Sequence, residues 1–260
     1  MRRHLTLACE GQTLVATLDE AGGDTGVLIV TGGNELRCGA FGGQAALAAS
    51  LAAHGYPTLR FDRRGVGDST GTNAGYRSSG PDIAAAMAAL RREAGVRRVV
   101  AFGNCDAASA LMLAGGAGAD ALVLANPWTF PDEGDGGDLP SPADARSRYA
   151  RRLTDPRQIL RLLRGQVNLR KLLAGLRQAV RPAPPATLLN ALREGVEGFS
   201  GPVTYLVAGR DRTGQAFARL WKGPVQTDPH ADHAFSGASQ EWLLARLLGA
   251  LEQADQLDVG

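Results

Sequence analysis

The sequence predicts an α/β fold: a mostly parallel sheet covered by helices on both faces, with a helical insertion late in the chain. Three observations point there. Short apolar runs bounded by glycine or proline alternate with longer, alanine- and leucine-rich stretches of helical character. Polar, glycine-rich loops follow the apolar runs, on the side where open α/β sheets hold their ligands. The alternation then breaks between residues 131 and 200 and resumes at residue 201.

Residues 5–9 and 13–18 read as two short strands joined by a Glu10–Gly11 turn, an opening hairpin. Gly26–Thr31 (GVLIVT) is a buried central strand that runs into the flexible loop GGNELRCGAFGG. Residues 43–54 form a helix, with Gly55 where a C-terminal cap belongs. Pro57–Asp62 is the next strand, followed by the loop RRGVGDSTG. Pro81 opens a helix to about Glu93, which Gly95 ends. Val96–Gly103 is a third core strand, Asp106 to about Ala114 is helical, and Ala121–Asn126 is a strand stopped by Pro127.

Residues 131–142 (PDEGDGGDLPSP) are acidic and rich in glycine and proline, so they read as a loop or hinge. Helical segments follow near 144–152, 156–164, 166–180 and 185–195, without a convincing strand. Gly201–Gly209 restores a strand, and 238–254 is the C-terminal helix. The expected organisation is a core of residues 1–128 and 201–260, interrupted by a helical lid over 129–200.

Composition bounds the function. A formal charge of +2 on 260 residues is too near balance for a nucleic-acid binder. No apolar run is long enough to span a membrane, and MRRHLTLACEGQTLVATLDE lacks the uninterrupted apolar core of a signal peptide. Cys9, Cys38 and Cys105 are odd in number and far apart, forming neither a disulfide scaffold nor a zinc site. A cytoplasmic protein without metal or cofactor is expected. Between residues 141 and 200, twelve basic residues stand against four acidic ones. Arg148, Arg151, Arg152, Arg157, Arg161 and Arg164 suit an anionic substrate, a carrier protein or a membrane surface; a solvated arginine face is the plainer reading.

The stretch VVAFGNCDA raises the question of chemistry. A cysteine at a turn from strand to helix is lifted out of the sheet, and the helix N-terminus offers N–H groups and lowers its thiol pKa. Gly103 and Ala107 provide the small flanks that such a tight turn needs. Cys105 is therefore the candidate nucleophile, against the alternative of a small buried filler. Of four histidines, His4 lies in the first strand and His54 at a helix end. His233, in the segment TDPHADHAFS, is the better base and His230 the weaker one. Asp211 follows the 203–208 strand at the same sheet edge as Cys105 and is the candidate acid that fixes the imidazole. Asp62 is its competitor, read instead as bracing its own loop together with the neighbouring arginines.

The order Cys105, Asp211, His233 around an elbow resembles the α/β-hydrolase fold family. Gly32–Gly33–Asn34 is similar to that family's oxyanion loop, and Asp62–Ser69 (DRRGVGDS) resembles its D-x-R-G-x-G-x-S loop. The insertion at 129–196 sits where many members carry a helical cap, so the resemblance covers about residues 14–254. The departure is the nucleophile, cysteine where most members have serine, as in dienelactone hydrolases and polyester synthases. The elbow GNCDAAS, with TGGNELRCG before it and DHAFS after it, is most similar to the exosortase A system-associated hydrolase 1 group, which accompanies exopolysaccharide and PEP-CTERM sorting genes.

The resemblance implies acyl-enzyme chemistry on a small-molecule or carrier-linked ester or thioester. The Asp106 N–H and a second N–H from Gly33 or Asn34 would form the oxyanion hole. Asn34 and Asn104 are candidates to line the pocket, Asn104 alternatively to stabilise the elbow. Arg37 is a candidate for greeting a substrate carboxylate, or a plain surface residue. Trp128 and Phe130 would floor the acyl pocket, or simply pack between lid and core. An acyltransferase and a non-catalytic binding protein on the same fold are the alternatives. A Rossmann dinucleotide site is disfavoured, because GGNELRCGAFGG does not open a helix with G-x-G-x-x-G, and no phosphate-loop motif occurs.

Overall fold

The chain opens with the hairpin. Strands β1 (Arg2–Cys9) and β2 (Gln12–Asp19) pair antiparallel, Arg2 opposite Asp19 and Cys9 opposite Gln12. Glu10 (φ 47°) and Gly11 (φ 77°) make the two-residue turn, both left-handed as the twist of a tight hairpin requires. The computed structural model describes residues 1–130 and 187–256.

Beyond the hairpin the order is β3 (Thr25–Val30), α1 (Gly43–Ala53), β4 (Thr58–Phe61), α2 (Gly80–Ala94), β5 (Arg98–Asn104), α3 (Asp106–Leu113) and β6 (Ala121–Ala125). After the undescribed stretch come α4 (Thr187–Glu197), β7 (Val203–Ala208), α5 (Arg212–Leu220), β8 (Gln226–Asp228) and α6 (Ser239–Asp255). The sheet runs β1-β2-β4-β3-β5-β6-β7-β8, with β2 antiparallel to both neighbours and every later pairing parallel. The parallel strands therefore all present their C-terminal ends at one edge.

Strand alternation explains the two layers. Val27, Ile29, Val100, Phe102 and Val123 form one core with Leu51 of α1 and Leu247 and Leu251 of α6. The residues between them, Leu28, Val99, Ala101 and Leu122, are equally buried on the opposite face, where α2 and α3 pack. Helix α2 carries Pro81 in its first turn and ends on Gly95 in the left-handed conformation at φ 68°, both as the sequence predicts.

Besides three short 3₁₀ turns, the structure adds α5 and β8 to the sequence reading, so His233 follows β8 and not the 203–208 strand. Strand β8 is three residues, Gln-Thr-Asp, with no apolar run to announce it. Its place in the sheet comes from parallel pairing of Leu206, Val207 and Ala208 with Gln226, Thr227 and Asp228. By contact the chain divides into two units, Met1–Thr129 with Leu189–Gly260, and Phe130–Leu188. Of the four helices expected in the insertion, α4 corresponds to the last; the segments at 144–152, 156–164 and 166–180 lie outside the described residues.

Candidate active site

Strand β5 ends at Asn104, and α3 begins at Asp106, so Cys105 alone makes the turn. It does so at φ 62° and ψ −127°, a conformation that side chains adopt only under constraint. The constraint is visible. The Cys105 N–H donates to the Ala125 carbonyl at 3.0 Å, and its own carbonyl accepts from Trp128 N–H at 3.2 Å and Ser109 N–H at 3.3 Å. Gly103 is obligatory, because a Cβ there would lie 2.8 Å from the Ala107 carbonyl carbon and the Ala108 nitrogen. The side chain stands half-exposed at the sheet edge, while Cys9 is buried and Cys38 exposed.

Asp211 follows β7 and caps α5, its Oδ2 accepting from Gly214 N–H at 2.8 Å. Its Oδ1 lies 3.1 Å from His233 Nδ1. Burial alone would raise the Asp211 carboxyl, but the His233 and Gly214 hydrogen bonds outweigh it and hold the group below its ordinary value. The Cys105 side chain also acts on the His233 ring. Asp211 first, and Cys105 second, push the imidazole up to about 10 against the opposing effect of burial. Both neighbours favour the protonated form of the ring, whose side chain is 46% exposed. The structure brings Cys105, Asp211 and His233 together. His230 is exposed, and its backbone N–H bonds Asp228 at 2.9 Å.

The expected oxyanion loop is arranged differently from the expectation. Gly33 has φ 53°, and its N–H points at the Asp106 carboxylate, 2.8 Å from Oδ1 and 2.9 Å from Oδ2. That N–H is engaged by the side chain of the very residue whose backbone N–H was expected to share the hole with it. Gly32 makes the approach feasible: a Cβ there would sit 2.4 Å from Asp106 Oδ1. Arg63, 2% exposed, holds the arrangement from behind. Its Nη2 donates to the Gly33 carbonyl and lies 3.6 Å from Asp106 Oδ2, while Nη1 donates to Ser79 Oγ at 2.9 Å. The Asn34 side chain turns aside, its Oδ1 accepting from Asn73 Nδ2 at 2.7 Å.

Arg37 is committed elsewhere. Its Nη1 pairs with Asp62, its backbone N–H reaches Asp62 Oδ1 at 2.6 Å, and its Nε donates to Thr17 Oγ1 at 3.1 Å. Asp62 is fully buried and braces its loop as expected, but its partner is Arg37 rather than the adjoining arginines. Asn104 faces the histidine loop, its Nδ2 donating to the His233 carbonyl at 2.9 Å. Trp128 is tied to the elbow by its backbone, through the Cys105 carbonyl and a 2.8 Å bond from Ser109 Oγ to its own carbonyl. Phe130 is half-buried and begins the second unit. Arg63, read only as bracing its own loop, reaches the site, and Asn126 escaped the sequence reading as a site residue. Asn126 ends an apolar strand just before Pro127, and that polar terminus at the ligand-binding edge was the available signal. Among the described residues, no cluster of three or more His, Cys, Asp or Glu side chains could hold a metal ion, and no helix is long and apolar enough to cross a membrane.

Comparison with known proteins agrees with this architecture. A model of the alpha/beta hydrolase family matches residues 28–246. Among solved structures, an esterase of Pyrococcus furiosus is similar at 15% identity, covering 97% of this chain and 91% of its own, with a TM-score of 0.64. The ferulic-acid-bound Est1E of Butyrivibrio proteoclasticus matches at 15% identity over 96% of this chain and 98% of its own, TM-score 0.62. A thioesterase domain from the curacin biosynthetic pathway matches at 12% identity over 95% and 99%, TM-score 0.59. These likenesses establish the fold. No curated protein matches the sequence significantly.

Proposed function

The chain belongs to the alpha/beta hydrolase family, and we propose that within it this protein is a cysteine-dependent acyl hydrolase, an esterase or thioesterase. The observation that supports this most directly is the position of His233. One ring pairs with the Asp211 carboxylate at 3.1 Å and is influenced by the side chain of a cysteine held in strained backbone at a strand-to-helix turn. A structural cysteine requires neither the strain nor the partner.

In this reading the Cys105 sulfur, its proton taken up by His233, attacks the acyl carbon of the substrate. A C–S bond forms, and the carbonyl electrons move to an oxyanion at the N-terminus of α3, beside the Asp106 N–H. The oxyanion collapses, the bond to the leaving group breaks, and the His233 proton passes to the departing oxygen or sulfur. Water, deprotonated by His233, then attacks the thioester carbon. The C–S bond breaks, the acid leaves, and Cys105 recovers its proton or remains paired as thiolate with the imidazolium. Asp211 holds the ring and balances its charge throughout.

The finer parts of the reading rest on the sequence. The helical lid expected over 129–200 rests on the sequence; by contact, Leu189 onward, and with it most of α4, groups with Met1–Thr129. The GNCDAAS elbow supports a place in the exosortase A system-associated hydrolase 1 group, and with it a role beside exopolysaccharide production. Scattered, unpaired cysteines support a cytoplasmic location.

Intact-protein mass spectrometry after brief exposure to activated esters and acyl thioesters, free and carrier-linked, tests the reading. The expected result is a transient acyl adduct on Cys105 that is absent in His233→Ala. In Cys105→Ser, whose hydroxyl is a far weaker nucleophile, the adduct should be much slower to form. Decay that accelerates with added alcohols or amines instead of water would convert the hydrolase into a transferase. No adduct and no turnover across the panel would leave a binding protein.

A further inference from the structure

Asn126 stands immediately after β6, fully buried, with φ 44°. A buried polar residue in the left-handed region at a strand end carries both a desolvation cost and a backbone cost, so its partners have to offset them. They are all parts of the candidate site. The Ala208 N–H, at the end of the strand leading to Asp211, donates to Asn126 Oδ1 at 2.8 Å. Asn126 Nδ2 donates to Asn104 Oδ1 at 2.9 Å, and Asn104 Nδ2 donates to the His233 carbonyl at 2.9 Å. The Asn126 backbone N–H adds a 2.9 Å bond to Leu206.

The direction of this chain is dictated by its ends. Ala208 N–H can only donate, so Asn126 must present its oxygen there and its NH2 to Asn104. Asn104 must then present oxygen to Asn126 and NH2 to His233, whose carbonyl can only accept. No other assignment of the two amides satisfies all three bonds. The same Asn126 oxygen also fills the space over Gly214, where a Cβ would come within 2.3 Å. Gly214 is the residue whose N–H holds the Asp211 carboxylate. One side chain thus abuts the support of the acid, bonds the residue before the nucleophile, and through it fixes the backbone of the histidine.

The histidine loop is held locally by Asp232 Oδ1, which accepts from Ala234 N–H at 3.2 Å and Ser236 N–H at 2.9 Å, and the Asn104 bond ties it to the end of β5. It is anchored upstream by Arg210 N–H on the Ala231 carbonyl at 3.0 Å. At His233 itself the ring is half-exposed, and the carbonyl bond from Asn104 holds the backbone that carries it. We infer that Asn126 and Asn104 form a two-amide relay that positions the His233 imidazole between Cys105 and Asp211. Neither amide is a catalytic residue in this inference. Both act by ordering the histidine, and the inference rests on the reading of Cys105 and His233 as the working pair.

Two variants test it. Asn104→Ala removes the last bond, and Asn126→Gly removes the central amide while keeping a residue comfortable at positive φ. Two readouts are followed in each: the titration of the His233 ring nitrogens by NMR, and the rate of Cys105 alkylation against exposed Cys38. In the wild-type protein the ring should titrate at about 10. In both variants it should fall toward its ordinary 6.5, and Cys105 alkylation at pH 7 should slow by about tenfold or more, with cooperative unfolding retained. A purely structural asparagine would lower the unfolding temperature and leave both readouts at their wild-type values; that result overturns the relay. Should Asn126→Gly fail to fold, Asn104→Ala decides alone. If wild-type Cys105 alkylates no faster than Cys38, the nucleophile reading fails, while the His233 titration still decides the relay by itself.

Discussion

Asp106 is where two demands on one residue meet. Its backbone N–H opens α3 beside Cys105, and its carboxylate takes the Gly33 N–H that the proposed mechanism would offer to an oxyanion. A carboxylate in that seat offers negative charge where negative charge has to develop, so it opposes the transition state while it stays. The sequence shows the residue after Cys105 but not the rotamer of its side chain, which depends on Gly32 lacking a Cβ and on the nearby Arg63. Asp106→Ala should release the Gly33 N–H. Acylation of Cys105 by an activated ester should then accelerate, by up to the roughly 10²-fold that one such donor is worth. The loss of an acidic side chain from the first turn of α3 should cost about 0.3–1 kcal/mol of stability. Single-turnover kinetics by mass spectrometry measure the rate. A folded variant that acylates more slowly would show that the carboxylate holds the loop in working order instead of obstructing it.

At the scale of elements, helix α5 joins stability to chemistry through its cap. Asp211 satisfies the Gly214 N–H with one oxygen and His233 with the other. Asparagine caps a helix about as well as aspartate but brings no charge to the imidazole. Asp211→Asn should therefore unfold within about 1 kcal/mol of the wild type while losing about 10²–10⁴ in turnover. Urea denaturation and acyl-ester hydrolysis measured on the same preparation separate the two. Full activity in the variant would assign the acid to another carboxylate. This helix and the strand after it are also what the sequence concealed. Strands β3 to β7 announce themselves through apolar runs such as GVLIV and ALVLA, since both of their faces are covered. The β8 strand, at the edge of the sheet, has two exposed residues in three, so no hydrophobic signal marks it. Helix α5 buries Ala216 and Phe217 with only two further small positions, in a nine-residue segment beginning Arg-Thr-Gly that looks like a turn.

Across the whole molecule, the site gathers residues from Gly32 to His233 at the C-terminal ends of parallel strands, and the sheet order is what makes them neighbours. Cys105, Asp211 and His233 could be singled out as candidates because each sits beside a recognisable strand end or loop. The partners of the supports were not legible: Arg63 and Asn126 act through contacts with residues 30 and 82 positions away, so even where a loop motif or a polar strand end marks the residue, its partner is not encoded locally. That assembly has a consequence for the stability of the fold as well as for its chemistry. The His233 ring is raised from 6.5 to about 10 in the folded protein, so folding favours its protonated form. Its contribution is fully present below 6.5 and fades as pH climbs through about 10. Asp211 has the opposite sign: its folded value lies below the ordinary 3.8, so its contribution is present above 3.8 and is lost as pH falls. The pair stabilises the protein most between these limits, by an amount that solvent screening of the half-exposed ring keeps small. Denaturant unfolding of wild-type protein and His233→Ala at pH 6, 8 and 10.5 measures it. The wild-type advantage should be largest at pH 6 and decline steadily to pH 10.5. An advantage independent of pH would mean that the ring stabilises the loop by packing alone, and that it carries no lasting positive charge between Asp211 and Cys105.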